Sequence, residues 1–261
     1  MKKNIVIFLL FVAVFALAGY IAYDNGLLDS FIKKEETVKK EEKNNKEKEA
    51  ITNSGELLEI TDERVLDAVD KIDSAINNYC GTYQTYLTDS KTTTKDINNQ
   101  FAYETVMTKL IKTNNAPISK EEMDKQIDIT FGKDYKFEHK TYESCPSYTY
   151  NEQTGVYTYV GANCGGTCGP NKLSKVVKAL LNENKLEVYV RIVYSNPSLT
   201  VNGRIAFCKN SDLTDIVGYI MEDNLTDTAQ TDRLISKGSL YKITFTNEED
   251  NYVFTSSELQ K

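Results

Sequence analysis

The residues of this chain whose chemistry depends most on position are five cysteines, Cys80, Cys145, Cys164, Cys168 and Cys208. An odd count leaves at least one thiol outside any disulfide, and two bonds drawn from five allow about fifteen connectivities. Cys145 precedes a predicted hairpin that turns near Gln153. In that register it lies opposite Gly161 and close to Cys164, so a bond closing this hairpin is the first pairing to expect. Closing such a loop stabilises by roughly 2–4 kcal/mol, mainly by restricting the unfolded chain. The run Gly161-Ala162-Asn163-Cys164-Gly165-Gly166-Thr167-Cys168-Gly169-Pro170 invites other chemistries. A dithiol redox site has two residues between its cysteines and a helix after them, whereas here three intervene and Gly169-Pro170 follows. A phosphate loop has Lys then Ser or Thr after its last glycine, and neither follows. A zinc site built from Cys145, Cys164, Cys168 and Cys208 lacks regular spacing beyond the close pair. Structural disulfides are the preferred reading, free or modified thiols are the main alternative, and no metal or cofactor is expected.

His139 is the only histidine. Nucleophilic chemistry would need a cysteine and a cation converging on it, and Cys208 with Arg204 or Arg233 is the available set. Ile205-Ala206-Phe207-Cys208 does not match the threonine–cysteine strand of a sortase, and no Gly-x-Ser-x-Gly occurs. His139 therefore reads as a solvent-facing strand residue. Asp212, Asp215, Asp223, Asp227 and Asp232 offer oxygen ligands but lack the loop glycine and closing glutamate of an EF-hand, so they read as solvated loop acids. Tyrosine is abundant, 17 residues against no tryptophan. Tyr148 and Tyr150 share one face of a predicted strand, as do Tyr157 and Tyr159 of the next. Cross-strand pairing accounts for them, and the same face is a possible binding surface for a protein or glycan.

These residues are positioned by a chain organised from its N-terminus. Ile5 to Tyr23 is a run of nineteen mostly apolar residues without a charge, preceded by Lys2 and Lys3. As a helix it reaches roughly 28 Å, the thickness of a bilayer core. Segment 1–32 thus reads as a cytoplasmic tip and an uncleaved signal-anchor. Cleavage after Ala18 is the competing expectation, since Ala16 and Ala18 satisfy the small-x-small rule. Residues 33–56 read as a charged stalk, because 33–50 carries seven lysines, six glutamates and almost nothing apolar to bury. The whole chain has a net charge of -7. An acidic remainder does not attract nucleic acid.

From 57 to 261 the sequence predicts an α+β domain outside the membrane. Apolar stripes at helical spacing mark helices over 61–79, capped by Thr61 or Asp62, and over 95–112. Ser119 and Glu122 form a capping box for a third, over 119–131, which Gly132 ends. Beyond Lys133 the period changes to two, giving a strand over 135–142 and hairpins 147–150/156–160, 173–181/186–194 and 239–246/252–256. Asn202-Gly203 marks a type I′ turn. Within 210–237, Asp215 to Met221 reads as a strand and Leu225 to Ser236 as a short helix. About three helices packed on one face of a curved antiparallel sheet resembles, in element order alone, the cystatin-like and NTF2-like folds, which host enzymes, binders and scaffolds alike.

The function expected is that of a single-pass, membrane-anchored binding or scaffold protein of a bacterial cell envelope, acting without catalysis on an envelope protein or glycan. Two other readings stand beside it. One is an assembly subunit of a secretion or conjugation machine, and the other is an envelope hydrolase or thiol enzyme that uses His139 and a cysteine.

Overall fold

A computed structural model describes residues 55–72, 87, 90–111, 114–144, 146–161, 172–210 and 212–260, within the unit Gly55–Lys261. Residues 5–23 lie outside these, and no helix among the described residues is long and apolar enough to cross a membrane.

Helix formation follows local capping chemistry. Asp62 opens α1 (Glu63–Lys71) by accepting from Arg64 N–H at 2.9 Å, and Val65, Ala68 and Ile72 are fully buried. The rest of the helix expected over 61–79 falls on residues outside the described ones. Helix α2 (Asn99–Leu110) starts later than its stripe suggested, because Thr93 donates twice to Asp96 Oδ2 and closes a 3₁₀ turn over Thr94–Asp96. Asn98 then caps α2 through Phe101 N–H at 2.8 Å. In α3 (Lys120–Phe131) the expected box is present: Ser119 Oγ accepts from Glu122 N–H at 3.1 Å, and Glu122 accepts from Ser119 N–H at 2.9 Å. Gly132 follows at φ +87°, where a side chain would be strained.

The strand expected over 135–142 is not formed. Exposed and half-buried residues alternate over 135–140, which produces the period of two, but the segment joins no ladder, and its Tyr135 N–H donates to Gly132 O at 3.1 Å. Asn99 Oδ1 accepts from Glu138 N–H at 3.3 Å, and Thr141 Oγ1 accepts from Tyr150 N–H at 3.0 Å. Strands β1 (Glu56–Leu58), β2 (Thr92–Thr93) and β3 (Ile118–Ser119) are too short to leave a pattern. The hairpin β4 (Ser147–Asn151) and β5 (Val156–Gly161) pairs Tyr148 with Tyr159 and Tyr150 with Tyr157, and β3 adds to the outer edge of β5. The turn register together with a bulge between Ser147 and Tyr148 sets Ser147 opposite Gly161, the place expected for Cys145, which lies outside the described residues.

The main sheet has eight strands. Strands β6 (Lys172–Asn182) and β7 (Lys185–Val201) form the expected long hairpin. At Asn202 and Gly203 both φ angles are positive, 51° and 72°, as a type I′ turn requires, and β8 (Arg204–Cys208) returns along β7. Strand β9 (Ile216–Met221) and helix α4 (Thr228–Ile235) follow as expected, and Asp227 caps the helix. Strands β10 (Ser239–Glu248) and β11 (Asn251–Gln260) complete the sheet in the order β1-β6-β7-β10-β11-β2. On one edge of β7, β10 pairs with residues 185–192 and β8 with 194–201, so the two lie end to end.

Alternation along β7 divides the interior. Val188, Val190, Ile192 and Tyr194 join Tyr241, Ile243, Phe245 and Phe254 in one core with the apolar faces of α1, α2 and α3. Val193 points the other way into a second core with Phe207, Ile220, Leu234 and Ile235, so α4 covers the opposite face. The molecule is therefore α+β on an antiparallel sheet, with three described helices on one face and one on the other. Each fully buried large side chain contributes roughly 1.5–3 kcal/mol relative to exposure.

Candidate functional site

A described concavity lies where four segments meet: the 3₁₀ turn leading into α2, the chain just after α3, the end of β10 and the start of β11. It encloses about 650 Å³. Its floor is aromatic. Phe131 packs against Tyr135 at 5.2 Å between ring centroids and meets Phe254 edge-on at 6.3 Å. Tyr135 is fixed by donating its hydroxyl to Ile97 O at 3.0 Å, and burial pushes that phenol up to about 12, so it stays a neutral donor. Thr94 donates to Phe254 O at 2.9 Å and ties the turn to the sheet. The rim carries Lys95 and Lys136 against Asp134 and Glu248, two charges of each sign. Asn99 spends its carbonyl oxygen on Glu138 N–H, which leaves its amide hydrogens as the group it can offer a ligand. Phe131 and Phe254 are buried beneath the half-buried Tyr135, and this one aromatic ring, with donors and acceptors of balanced charge around it, suits a ligand that has both an apolar face and hydroxyl or amide groups. Beside the groove Gly132 approaches Glu248 so closely that an added Cβ would sit 3.0 Å from its carboxylate.

His139 stands elsewhere, between α3 and the β4–β5 hairpin. Its side chain is only 10% exposed, and not solvent-facing as its alternation suggested. Nε2 lies 2.7 Å from Asp124 Oδ1 and Nδ1 lies 3.0 Å from the Tyr157 hydroxyl. The ring also meets Phe137 edge-on at 5.1 Å. Both nitrogens are thus engaged in joining a helix to a strand, and neither is paired with Cys208. Burial raises the Tyr157 phenol well above its ordinary value.

The tyrosines expected to offer a binding face are turned inwards. Tyr148 and Tyr157 are buried, Tyr150 and Tyr159 half-buried, and Thr149 and Thr158 take the exposed positions. All four rings fall on one face because the register places them in cross-strand pairs. That face packs on α2, where Tyr103 stacks on Tyr142 at 4.9 Å and lies 6.0 Å from Tyr157. Of the cysteines, Cys80, Cys145, Cys164 and Cys168 lie outside the described residues. Cys208 is a free, buried thiol on β8, held above the usual thiol range by burial and by Asp215 and Asp212. Asp227 is a helix cap and Asp232 an ion-pair partner of Lys175 at 2.6 Å. The groove residues were not singled out from sequence. They come from four separate segments, and the one local sign is the alternation of charge and aromatic residues from Phe131 to Phe137.

Comparison with known proteins finds no family model, curated protein or solved structure that matches this chain.

Proposed function

We propose that the chain is a membrane-anchored binding or scaffold protein of the bacterial cell envelope, held by residues 5–23, spaced by the stalk 33–56, and acting through its domain outside the membrane. The observation that carries the binding role is the groove with Tyr135 over the buried rings of Phe131 and Phe254 and a rim carrying two charges of each sign. Sugar rings present an apolar face and a hydroxyl edge, and they match that combination better than a strongly charged ligand does. The partner proposed is accordingly an envelope glycan. The experiment is a titration of the full chain in detergent with oligomers of N-acetylated amino sugars, followed by tyrosine fluorescence. Saturable binding that Tyr135→Ala weakens at least tenfold is the expected result. Binding that is unchanged in the variant, or no binding at millimolar concentration, would overturn the assignment.

A further inference from the structure

Strand β9 ends the branch β7-β8-β9, and among the described residues it pairs with β8 alone. Its sequence, Ile216-Val217-Gly218-Tyr219-Ile220-Met221, has no charged residue and no proline. Edge strands ordinarily carry such residues, because a bare row of N–H and C=O groups beside apolar side chains templates another strand. The two faces of β9 differ sharply. Ile220 is buried under α4, and Leu234 of that helix lies against Gly218. On the other face Ile216, Tyr219 and Met221 are 39, 45 and 37% exposed. In the row Val201–Arg204–Met221 the exposed Arg204 of β8 separates Met221 from the exposed Val201 of β7, so the apolar surface ends at β8. Three large apolar residues at one edge bury favourably only when covered.

Charge decides the occupant. Residues 210–232 contain six aspartates and glutamates and no lysine or arginine, and the cations that reach the strand are Arg204, paired with Met221, and Lys237, whose Nζ donates to Val217 O at 3.1 Å. Asp215 immediately precedes the strand, and Glu222 and Asp223 immediately follow it. A second copy pairing antiparallel with Ile216 opposite Met221 would set Asp215 against Glu222 at both ends, and like charges opposite one another destabilise such a pair. An extended segment with lysine or arginine at its ends meets an opposite charge at each end instead.

We propose that the open edge of β9 receives an extended polypeptide segment by strand addition, one with alternating apolar residues flanked by basic residues. The added backbone extends the ladder, alternate side chains cover Ile216, Tyr219 and Met221, and the terminal cations face the acidic flanks. This surface is distinct from the aromatic groove and does not depend on what the groove binds.

The test uses the full chain in detergent and three synthetic peptides, read by fluorescence anisotropy. The first has a Val-Thr-Val-Thr-Val centre between Lys-Lys ends, the second has Glu-Glu ends, and the third keeps the lysines but is N-methylated at alternate amides along one edge. Binding of the first, at least tenfold weaker binding of the second and loss of the third are expected. Tyr219→Lys, which places a cation on an exposed site without touching the core, should weaken the first peptide at least tenfold while circular dichroism stays unchanged. Equal affinity for all three peptides, or no binding of the first, would overturn the proposal. So would self-association that Tyr219→Lys abolishes, because a second copy would then hold the edge.

Discussion

Glu104 offers a quantitative test of how this core treats charge. It sits half-buried on α2, one turn beyond Gln100, whose side-chain amide donates both to it and to Glu143 O. Burial disfavours the carboxylate and pushes its pKa up to about 7, against the opposing effect of the Gln100 hydrogen bond. The ordinary carboxyl value is 4.5, and a tenfold change in proton affinity is worth about 1.4 kcal/mol, so a fully buried group would carry roughly 3 kcal/mol. Partial solvent contact reduces this to about 1–1.5 kcal/mol. Because the folded pKa lies above the unfolded one, the folded protein holds a proton that the unfolded chain has released. The contribution is therefore present below about pH 4.5 and lost as pH rises through about 7. Glu104→Gln keeps a carbonyl acceptor for Gln100 and never ionises. Urea unfolding of the two proteins, followed by tyrosine fluorescence from pH 4 to 8.5, should show a difference that moves in the variant's favour by about 1–1.5 kcal/mol across that window. Asp62, Asp96, Asp227 and Glu249, all held below their usual range by hydrogen bonds, are common to both proteins and cancel in the difference. A difference independent of pH, or one that grows as pH falls, would refute the reasoning.

Three other substitutions probe buried polar groups. The Ser195 hydroxyl is buried without a hydrogen-bond partner among the described residues, so Ser195→Ala should leave stability unchanged or raise it by about 1 kcal/mol in the same urea assay. Lys71 is buried on α1 and holds Asp67 at 2.6 Å and Tyr252 O at 3.0 Å, so Lys71→Met should cost about 2–4 kcal/mol by stranding the groups on β11. His139→Ala removes the link between Asp124 and Tyr157 and should destabilise by about 1–3 kcal/mol while groove binding is retained. Loss of binding in a stably folded His139→Ala protein would instead give that histidine a functional role.

The sequence was most legible where a local signal and a tertiary need coincide. Ser119 and Glu122 specify the start of α3 through two reciprocal hydrogen bonds, and Asn202-Gly203 specifies a turn through two positive φ angles. Asp215 to Met221 and Leu225 to Ser236 were placed as strand and helix within one to three residues at their ends. Elsewhere the same physics gives no unique sign. Residues 135–142 alternate like a strand because extended chain alternates whatever it touches, and here it touches Asn99 and aromatic rings. The turn between β10 and β11 is tighter than expected because Glu249 and Asp250 take φ of 54° and 66°, a conformation that neither residue type advertises. The aromatic hairpin was visible but its orientation was not, since alternation separates two faces without saying which is covered. The groove was the least legible feature, because Lys95, Asp134, Lys136 and Glu248 meet only once the sheet order is set.

The central claim, a glycan-binding groove on the outer side of a membrane, is tested most directly by labelling at its rim. Lys136 is an exposed lining residue of the groove, and Lys136→Cys places a reactive thiol there. Intact cells would be treated with a membrane-impermeant maleimide, and modification of the peptide containing position 136 followed by mass spectrometry. Modification without lysis, slowed at least threefold by added N-acetylated amino-sugar oligomers, is the expected result. Modification only after lysis would contradict the topology, and a rate indifferent to the oligomers would contradict the groove.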